Sequence, residues 1–316
     1  MPVGSADKGV GLGAGEIMLT TDFAYNHIDW EHSPIGNEPF EHSGILNSKI
    51  LNLGLTIGLN DYWNVSISQL LIERCMEWHP KEISSHHRTE CSSSDYDNAN
   101  GGYFGDTKVN FKYLLENQGK GPGNRFFIGA GLIIPSNYAL TNNPFITDEN
   151  HRHFALSEGA HKIAIDFQFF QKRTKAPVFW GATFNFIHPL ETSSYGFYPS
   201  KVYDLSLMAL SGPTKIKTNL FMISSVGFSY IFRHTTDAKW NGDIAPNSKS
   251  NTHIPGISII VGTKKMKGSV GLNFSRAYMD NLNTNDDVLE QDAKVWQFAL
   301  SYRIILDKYI DKLYWK

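Results

Sequence analysis

Hydrophobic residues recur at every second position in twelve separate segments of this chain. Alternation with a period of two is typical of a β-strand with one apolar face. Each segment is close to the length of about 9–11 residues that a tilted strand needs to cross a bilayer. The last segment is the clearest: one face carries Trp296, Phe298, Leu300, Tyr302, Ile304 and Leu306, and the other carries Val295, Gln297, Ala299, Ser301 and Arg303.

The connections between these segments alternate in length. Long polar loops are expected over residues 31–48, 74–104, 135–160, 188–201, 234–255 and 280–293. The short turns between them are basic, with Lys120, Lys172, Arg173, Lys175, Lys215, Lys217, Lys264, Lys265 and Lys267. A soluble β-sandwich also alternates, but it has no reason to collect charge at one end. An even strand number with long loops at one rim and short turns at the other is typical of outer-membrane barrels.

We therefore predict an all-β protein, a transmembrane antiparallel up-and-down β-barrel of about 12 strands over residues 16–316. Residues 1–15 are expected to be disordered or to lie in the lumen. The predicted location is the outer membrane of a Gram-negative-type bacterium, with the long loops outside and lipids around the barrel.

Composition agrees with this prediction. Aromatic residues make up 13% of the chain, which suits aromatic girdles at two membrane interfaces. No run approaches the roughly 18 apolar residues of a membrane helix, because a barrel places only every second residue in lipid. The net charge of −2 argues against a nucleic-acid binder.

Two features concern export. The N-terminus lacks a basic region followed by an apolar region, so we expect that an export signal has already been removed. The two cysteines, Cys75 and Cys91, fit neither a CxxC motif nor a zinc framework. A disulfide that closes one exposed loop is favoured over a metal or redox pair, and it requires an oxidising compartment.

Three short motifs resemble a known family. Residues 58–65, Gly-Leu-Asn-Asp-Tyr-Trp-Asn-Val, resemble the glycine-leucine-threonine-aspartate turn of the MetA-pathway-of-phenol-degradation family of outer-membrane transporters. Gly105-Asp106 followed by Lys112-Tyr113 is similar to that family's next hairpin, and residues 128–135 resemble its strand that ends in Pro-Thr-Gly, although Ser136-Asn137 replaces Thr-Gly here. The resemblance covers about residues 12–210. It implies a single barrel of about a dozen strands and the uptake of small, often aromatic molecules.

The inner face of the predicted barrel carries ten charged or amide side chains. They could line a channel that selects solutes by charge and hydrogen bonding. They could equally form salt bridges that fill a narrow lumen, because twelve strands lie between the small filled barrels and the open porins. Glycines on the same face would leave space along the wall or relieve curvature. The ten predicted pore-lining residues are Asp106, Lys108, Asn110, Lys112, Asp166, Gln168, Asn185, Asp204, Asn273 and Arg303.

Histidines concentrate in the predicted long loops. Imidazoles with nearby acids suit zinc or copper, but no spacing matches a known zinc pattern. We therefore predict solvated histidines, no metal site and no cofactor. No nucleophile elbow or phosphate-binding glycine loop occurs in the required context, so no enzymatic activity is expected. The histidines concerned are His32, His42, His79, His86, His87, His151, His153, His234 and His253.

Two functions agree with these observations. The first is an outer-membrane channel or transporter for small solutes, including aromatic or amphipathic molecules. The second is a closed-lumen barrel that acts as a surface binding or scaffold protein and docks a protein partner through its long loops. Exposed Trp30, Trp78 and Trp240 would serve as anchors in the second case.

Overall fold

The computed structural model describes residues 12–34, 38–84, 87–118, 122–145, 151–212, 214, 216, 221–263, 268–281 and 291–306. Within these ranges the chain forms sixteen β-strands. They are β1 (Ile17–His32), β2 (His42–Gly58), β3 (Trp63–Trp78), β4 (Glu90–Cys91), β5 (Phe104–Asn117), β6 (Gly123–Ile134), β7 (Lys162–Lys172), β8 (Phe179–Pro189), β9 (Phe197–Tyr198), β10 (Val202–Leu210), β11 (Phe221–Thr235), β12 (Lys239–Trp240), β13 (Asp243–Ile244), β14 (Ser250–Thr263), β15 (Ser269–Asn281) and β16 (Gln291–Ile305).

Twelve long strands form one closed antiparallel barrel, as the alternation predicted. Each strand pairs with the next long strand in the chain, and β1 pairs with both β2 and β16, which closes the sheet. The closing pair is long and regular, from Met18 opposite Ile305 to His32 opposite Gln291. No described segment is a helix of sufficient length and apolarity to span a membrane.

Burial is inverted relative to a soluble protein. Ile257 is 60% exposed and Phe274 is 53% exposed, and they are neighbours on the outer face of β14 and β15. The next residue on β14, the inward Ser258, is fully buried. Large exposed apolar side chains around a polar interior are stable only where hydrocarbon replaces water. The chain is therefore an outer-membrane barrel.

An aromatic cluster marks the short-turn end of β3 and β5. The ring of Trp63 lies 4.8 Å from that of Tyr113, and Tyr62 stacks on Tyr113 at 6.1 Å. Tyr62 and Trp63 are both exposed. Amphipathic rings at this level are typical of the girdle at a membrane–water interface.

Several strands continue further into the predicted loops than the alternation indicated. β2 begins at His42 rather than near residue 49, and β14 begins at Ser250, inside the predicted loop over 234–255. Above the membrane the outer face meets water, so the apolar alternation stops. The backbone ladder depends only on main-chain hydrogen bonds, and it continues to the pair formed by His32 and His42.

The disulfide between Cys75 and Cys91 is confirmed. Its position differs from the prediction, because Cys75 lies within β3 rather than in a loop. Cys91 lies in β4, a two-residue strand that pairs with β3 directly at Cys75. The bond therefore ties the segment after β3 back onto the barrel wall.

The basic short turns are only partly described. Lys172, Arg173 and Lys175 are exposed around the turn between β7 and β8. Residues 1–11 lie outside the described ranges, as do Lys120, Lys215, Lys217, Lys264, Lys265 and Lys267.

We predict that Ile257→Arg destabilises the barrel by about 2–4 kcal/mol, because it places a cation on the lipid face near the middle of β14. Ile244→Arg is the matched control, since Ile244 is equally exposed but lies in the short strand β13. The control is expected to stay within about 0.5 kcal/mol of wild type. Urea unfolding in lipid vesicles, followed by tryptophan fluorescence, measures both. Equal losses would show that Ile257 does not face lipid.

Candidate functional site

Loops at one rim line a partly open cavity of about 420 Å³. Part of its cover is a small three-stranded sheet formed by β9, β12 and β13. Trp240 of β12 is only 4% exposed, and a small core forms around it from Ala238 and Ala245, with Phe197 and Leu140 packed against that core. The loops above the barrel are therefore ordered by a hydrophobic core of their own.

The cavity has an apolar wall and a charged wall. Arg74, Asp106 and Glu158 supply the charges. Ligand pockets commonly measure about 300–1,000 Å³, and an apolar cavity of about 150 Å³ already holds benzene. The space thus suits a small amphipathic molecule. The large apolar side chains that line it are Leu140, Phe145, Phe154, Leu156, Phe197 and Trp240.

Ionic contacts hold the charged wall in place. Lys162 Nζ lies 3.1 Å from Asp106 and 2.7 Å from Glu158, so one ammonium group bridges two carboxylates. Arg74 is different, because its buried Nε has no hydrogen-bond partner among the described residues. A buried polar atom without a partner costs free energy, and a bound acceptor group would remove that cost.

Buried arginine contacts fasten the loops around the cavity. Arg152 is almost fully buried, lies 3.1 Å from Glu90, and donates hydrogen bonds to the carbonyl oxygens of Cys91 and Ser94. Arg88 donates to the carbonyl oxygen of His151 at 2.8 Å. Burial lowers the pKa of the Arg88 guanidinium below its ordinary value. At this rim, the hydrogen bond from His161 also lowers the pKa of the Glu191 carboxyl group.

The ten predicted pore-lining residues all lie on the inner face of the barrel. Asn110 donates to Asp166 at 3.1 Å, and Lys112 lies 3.8 Å from the same carboxylate. Asn185 pairs across the ladders with Asp166 and with Asp204. These contacts bring polar side chains of β5, β7, β8 and β10 into one layer. Whether the layer lines an open pore stays a prediction.

Most of the remaining predicted pore-lining residues form local contacts, and the others are buried or half-buried. Arg233 forms two hydrogen bonds with Asp204, at 2.7 and 3.0 Å. Asn273 donates to the hydroxyl groups of Ser229 and Ser258. Asp106 contacts Lys162, and Arg303 donates a hydrogen bond to Ser269 at 3.4 Å. Gln168 is buried and Lys108 is half-buried.

The inward glycines make room for neighbouring side chains. A Cβ atom on Gly129 would lie 2.4 Å from the carboxylate of Asp166, and one on Gly181 would lie 2.4 Å from the ring of Phe170. The space predicted along the wall is therefore occupied at these two positions.

An apolar layer of inward side chains lies on one side of the barrel wall towards the short-turn end, and the sequence interpretation missed it. Leu114, Phe127 and Phe170 form one buried cluster, with Phe179 packed against it. A second cluster of Met208 and Leu210 lies beside it, sharing Phe179. The available signal was the doublets Leu114-Leu115, Phe126-Phe127 and Phe169-Phe170, because in a strand one residue of each doublet must face inward.

The prediction of solvated loop histidines was wrong for His32, His42 and His87. His32 ends β1, His42 begins β2, and both are buried together with His87 from the segment after β3. Their ligand atoms lie within 4.8 Å of one another. His234 and His253 also belong to strands, β11 and β14.

The other predicted histidines differ in their surroundings. His79 is exposed, as predicted. The prediction of solvation was also wrong for His151, which is buried. Its ring contacts that of His153, with 3.1 Å between their Nε2 atoms. His86 lies outside the described residues.

The three tryptophans predicted as exposed anchors are not exposed. Trp240 is buried in the loop core, and Trp30 and Trp78 are half-buried beside the histidine cluster. The specific support for a protein-docking surface is therefore lost.

Comparison with solved structures gives a likeness over nearly the whole chain. The COG4313 outer membrane channel from Pseudomonas putida F1 has a TM-score of 0.61 at 12% identity, over 93% of this chain and 97% of the channel. The chain shares the β-barrel fold of that outer-membrane protein. The TodX monoaromatic hydrocarbon channel deltaS2 mutant gives a TM-score of 0.46 at 10% identity, over 95% and 92% of the two chains. A Pseudomonas aeruginosa FadL homologue gives 0.43 at 9%, over 92% and 90%.

No protein-family profile matches the sequence. No curated protein matches it either.

We predict that Lys162→Met lowers the free energy of unfolding by about 3–5 kcal/mol, because it leaves the nearly buried Asp106 without its counter-charge. Lys49→Met is the matched control, since Lys49 contacts Glu73 at an exposed site. Lys49→Met is expected to lower the free energy of unfolding by less than about 1 kcal/mol. Urea titration in lipid vesicles measures both. A loss from Lys162→Met as small as that of the control would contradict the ionic bridge.

Proposed function

We propose that this protein is an outer-membrane channel for small amphipathic solutes, including aromatic acids. The observation that carries the proposal is the cavity at the long-loop rim, with an aromatic wall facing a charged wall. A solute entering from outside meets this cavity before it reaches the lumen. The protein with the same fold from Pseudomonas putida F1 is named as an outer membrane channel, which supports the same role.

The lining of the cavity indicates the class of solute. The exposed ring of Phe145 and the half-buried ring of Phe197 line the cavity and offer apolar surfaces, which favour stacking of an aromatic ring. Arg74 offers a buried Nε that lacks a partner among the described residues, and its planar guanidinium suits a carboxylate. A ring with one anionic or acceptor group therefore satisfies both walls. The resemblance of residues 58–65 and 128–135 to the MetA-pathway-of-phenol-degradation family supports the same class.

The apolar layer below the cavity would control passage. Leu114, Phe127 and Phe170 are buried in the lumen and present no polar group to a permeating ion. Hydrophobic constrictions resist water and ions, so ionic leakage through the barrel would be small. An amphipathic ring can cross such a layer more easily than a hydrated ion. The channel would thus separate aromatic solutes from inorganic salt.

We predict that Phe170→Ala raises ionic conductance in planar bilayers by about tenfold or more, because it removes part of the apolar layer. Phe169→Ala is the matched control. Its side chain is the outward neighbour on β7 and packs with Trp180, so conductance should not change. If both variants conduct like wild type, Phe170 does not form the constriction.

We predict that Arg74→Gln slows benzoate entry into proteoliposomes by about tenfold, the effect of losing one charge-assisted hydrogen bond. Entry of benzyl alcohol, which has no charge, should change less than twofold. Arg173→Gln at the exposed short turn between β7 and β8 is the control and should alter neither rate. Equal slowing of both solutes would indicate a change in the barrel rather than recognition by Arg74. Wild-type vesicles no more permeable to either solute than empty vesicles would overturn the channel function.

A further inference from the structure

Three histidines from separate parts of the chain meet at the long-loop rim. His32 and His42 are directly opposite each other in the ladder of β1 and β2, so their side chains share the inner face. His87 comes from the segment between β3 and β4. The Nε2 atoms of His32 and His87 are 3.1 Å apart, and the potential ligand atoms of all three lie within 4.8 Å of one another.

The spacing approaches that of a metal site. In a tetrahedral zinc site with Zn–N distances near 2.05 Å, ligand nitrogens are about 3.3 Å apart. The pair formed by His32 and His87 already has this separation. The third imidazole needs to move by about 1–1.5 Å at most to reach it. We propose that His32, His42 and His87 bind one zinc-type divalent transition-metal ion.

Hydrogen bonding prepares at least one of these ligands. The Nδ1–H group of His32 donates to the carbonyl oxygen of Ser33 at 2.8 Å. The lone pair of neutral His32 is therefore on Nε2, which faces His87. Metal-binding histidines commonly donate their second N–H group in this way, which fixes both the tautomer and the ring orientation.

The surroundings favour a cation at this point. A carboxylate oxygen of Glu38 lies 3.1 Å from Nε2 of His42, and its side chain is largely buried. Glu38 supplies negative charge and can complete a four-coordinate site with an oxygen ligand. The three histidines are buried, with His42 fully so, and the rings of Trp30, Phe40 and Trp78 surround them. Exclusion of water strengthens the attraction between the metal ion and the carboxylate.

The donor set selects the class of metal. Neutral imidazoles suit zinc, copper and nickel, whereas magnesium and calcium prefer sites made of oxygen ligands. His151 and His153 form a pair of histidines beside this cluster, and the ring of His153 contacts that of His87. His253 and His234 contact Tyr230 and Asn251 rather than other histidines.

Metal binding would join three segments at the mouth of the barrel. The hairpin of β1 and β2 would be linked to the segment that carries His87, which the disulfide at Cys91 already ties to β3. The ring of His87 also contacts His153, which lines the cavity. The ion is therefore expected to stabilise the rim of the solute cavity. The site does not depend on the proposed channel function, because it requires only the three imidazoles.

The test uses the purified full-length protein after removal of metals with EDTA and dialysis. Isothermal titration with Zn²⁺ is expected to give one tightly bound ion per chain. Titration with Co²⁺ is expected to give the intense visible absorption of a four-coordinate ion. A wild-type protein that binds neither ion would overturn the proposal and leave an aromatic–imidazole cluster with a structural role only.

Variants then assign the ligands. His32→Ala and His87→Gln are each expected to weaken Zn²⁺ binding at least a hundredfold and to abolish the Co²⁺ absorption. Glu38→Gln should weaken binding about 10–100-fold. His79→Ala is the matched control, because His79 follows Trp78 in the same segment but is exposed, and it should bind like wild type.

Folding of each variant is checked by the faster gel migration of the unboiled barrel. A variant that fails this check is replaced by His42→Gln. The Co²⁺ spectrum of the wild-type protein tests metal binding even if no variant folds. Retention of one tight Zn²⁺ ion by folded His32→Ala and His87→Gln would place the ion elsewhere and overturn the assignment.

Discussion

Closure of the backbone hydrogen-bond ladder is the constraint on which the rest of this structure depends. In hydrocarbon, an unpaired N–H or C=O group has no water to bind, so a sheet with a free edge cannot cross the membrane. The pairing of β1 with β16 removes both edges. Once the cylinder is closed, alternate side chains must face lipid and lumen. The exposed Ile257 next to the buried Ser258 follows from this geometry.

The sequence predicted the outward-facing side of the strands well, because lipid constrains it. It predicted the contacts inside the lumen and among the loops poorly. Lipid favours apolar side chains, so the strands carry a readable apolar pattern on the part of the outer face that crosses the membrane. The inner face is filled by contacts between distant strands, such as Asn110 with Asp166, and no local pattern specifies such a pair. Phe127 and Phe170 were missed although their doublets with Phe126 and Phe169 require one inward aromatic residue each, because the doublets do not show that the inward rings pack together.

The candidate site depends even more on contacts between distant parts of the chain. Trp240, Phe197 and Leu140 come from three separate loops, and only the folded chain reveals that they form one core. His32 and His42 are ten residues apart in the sequence, which matches no known metal spacing, yet the hairpin register places them side by side. His87 joins them because β4 holds its segment against β3. Long-range topology therefore creates sites that spacing alone conceals.

The disulfide also constrains how the barrel is assembled. The predicted orientation places the rim that carries Cys75 and Cys91 outside the cell, whereas thiol oxidation in Gram-negative-type bacteria takes place in the periplasm. With that orientation, we expect the bond to form before β3 and its neighbours insert. The segment between the two cysteines then crosses the membrane as a closed covalent ring, already folded back on itself. Insertion thus has to accommodate two chain segments side by side at this point, rather than a single extended strand.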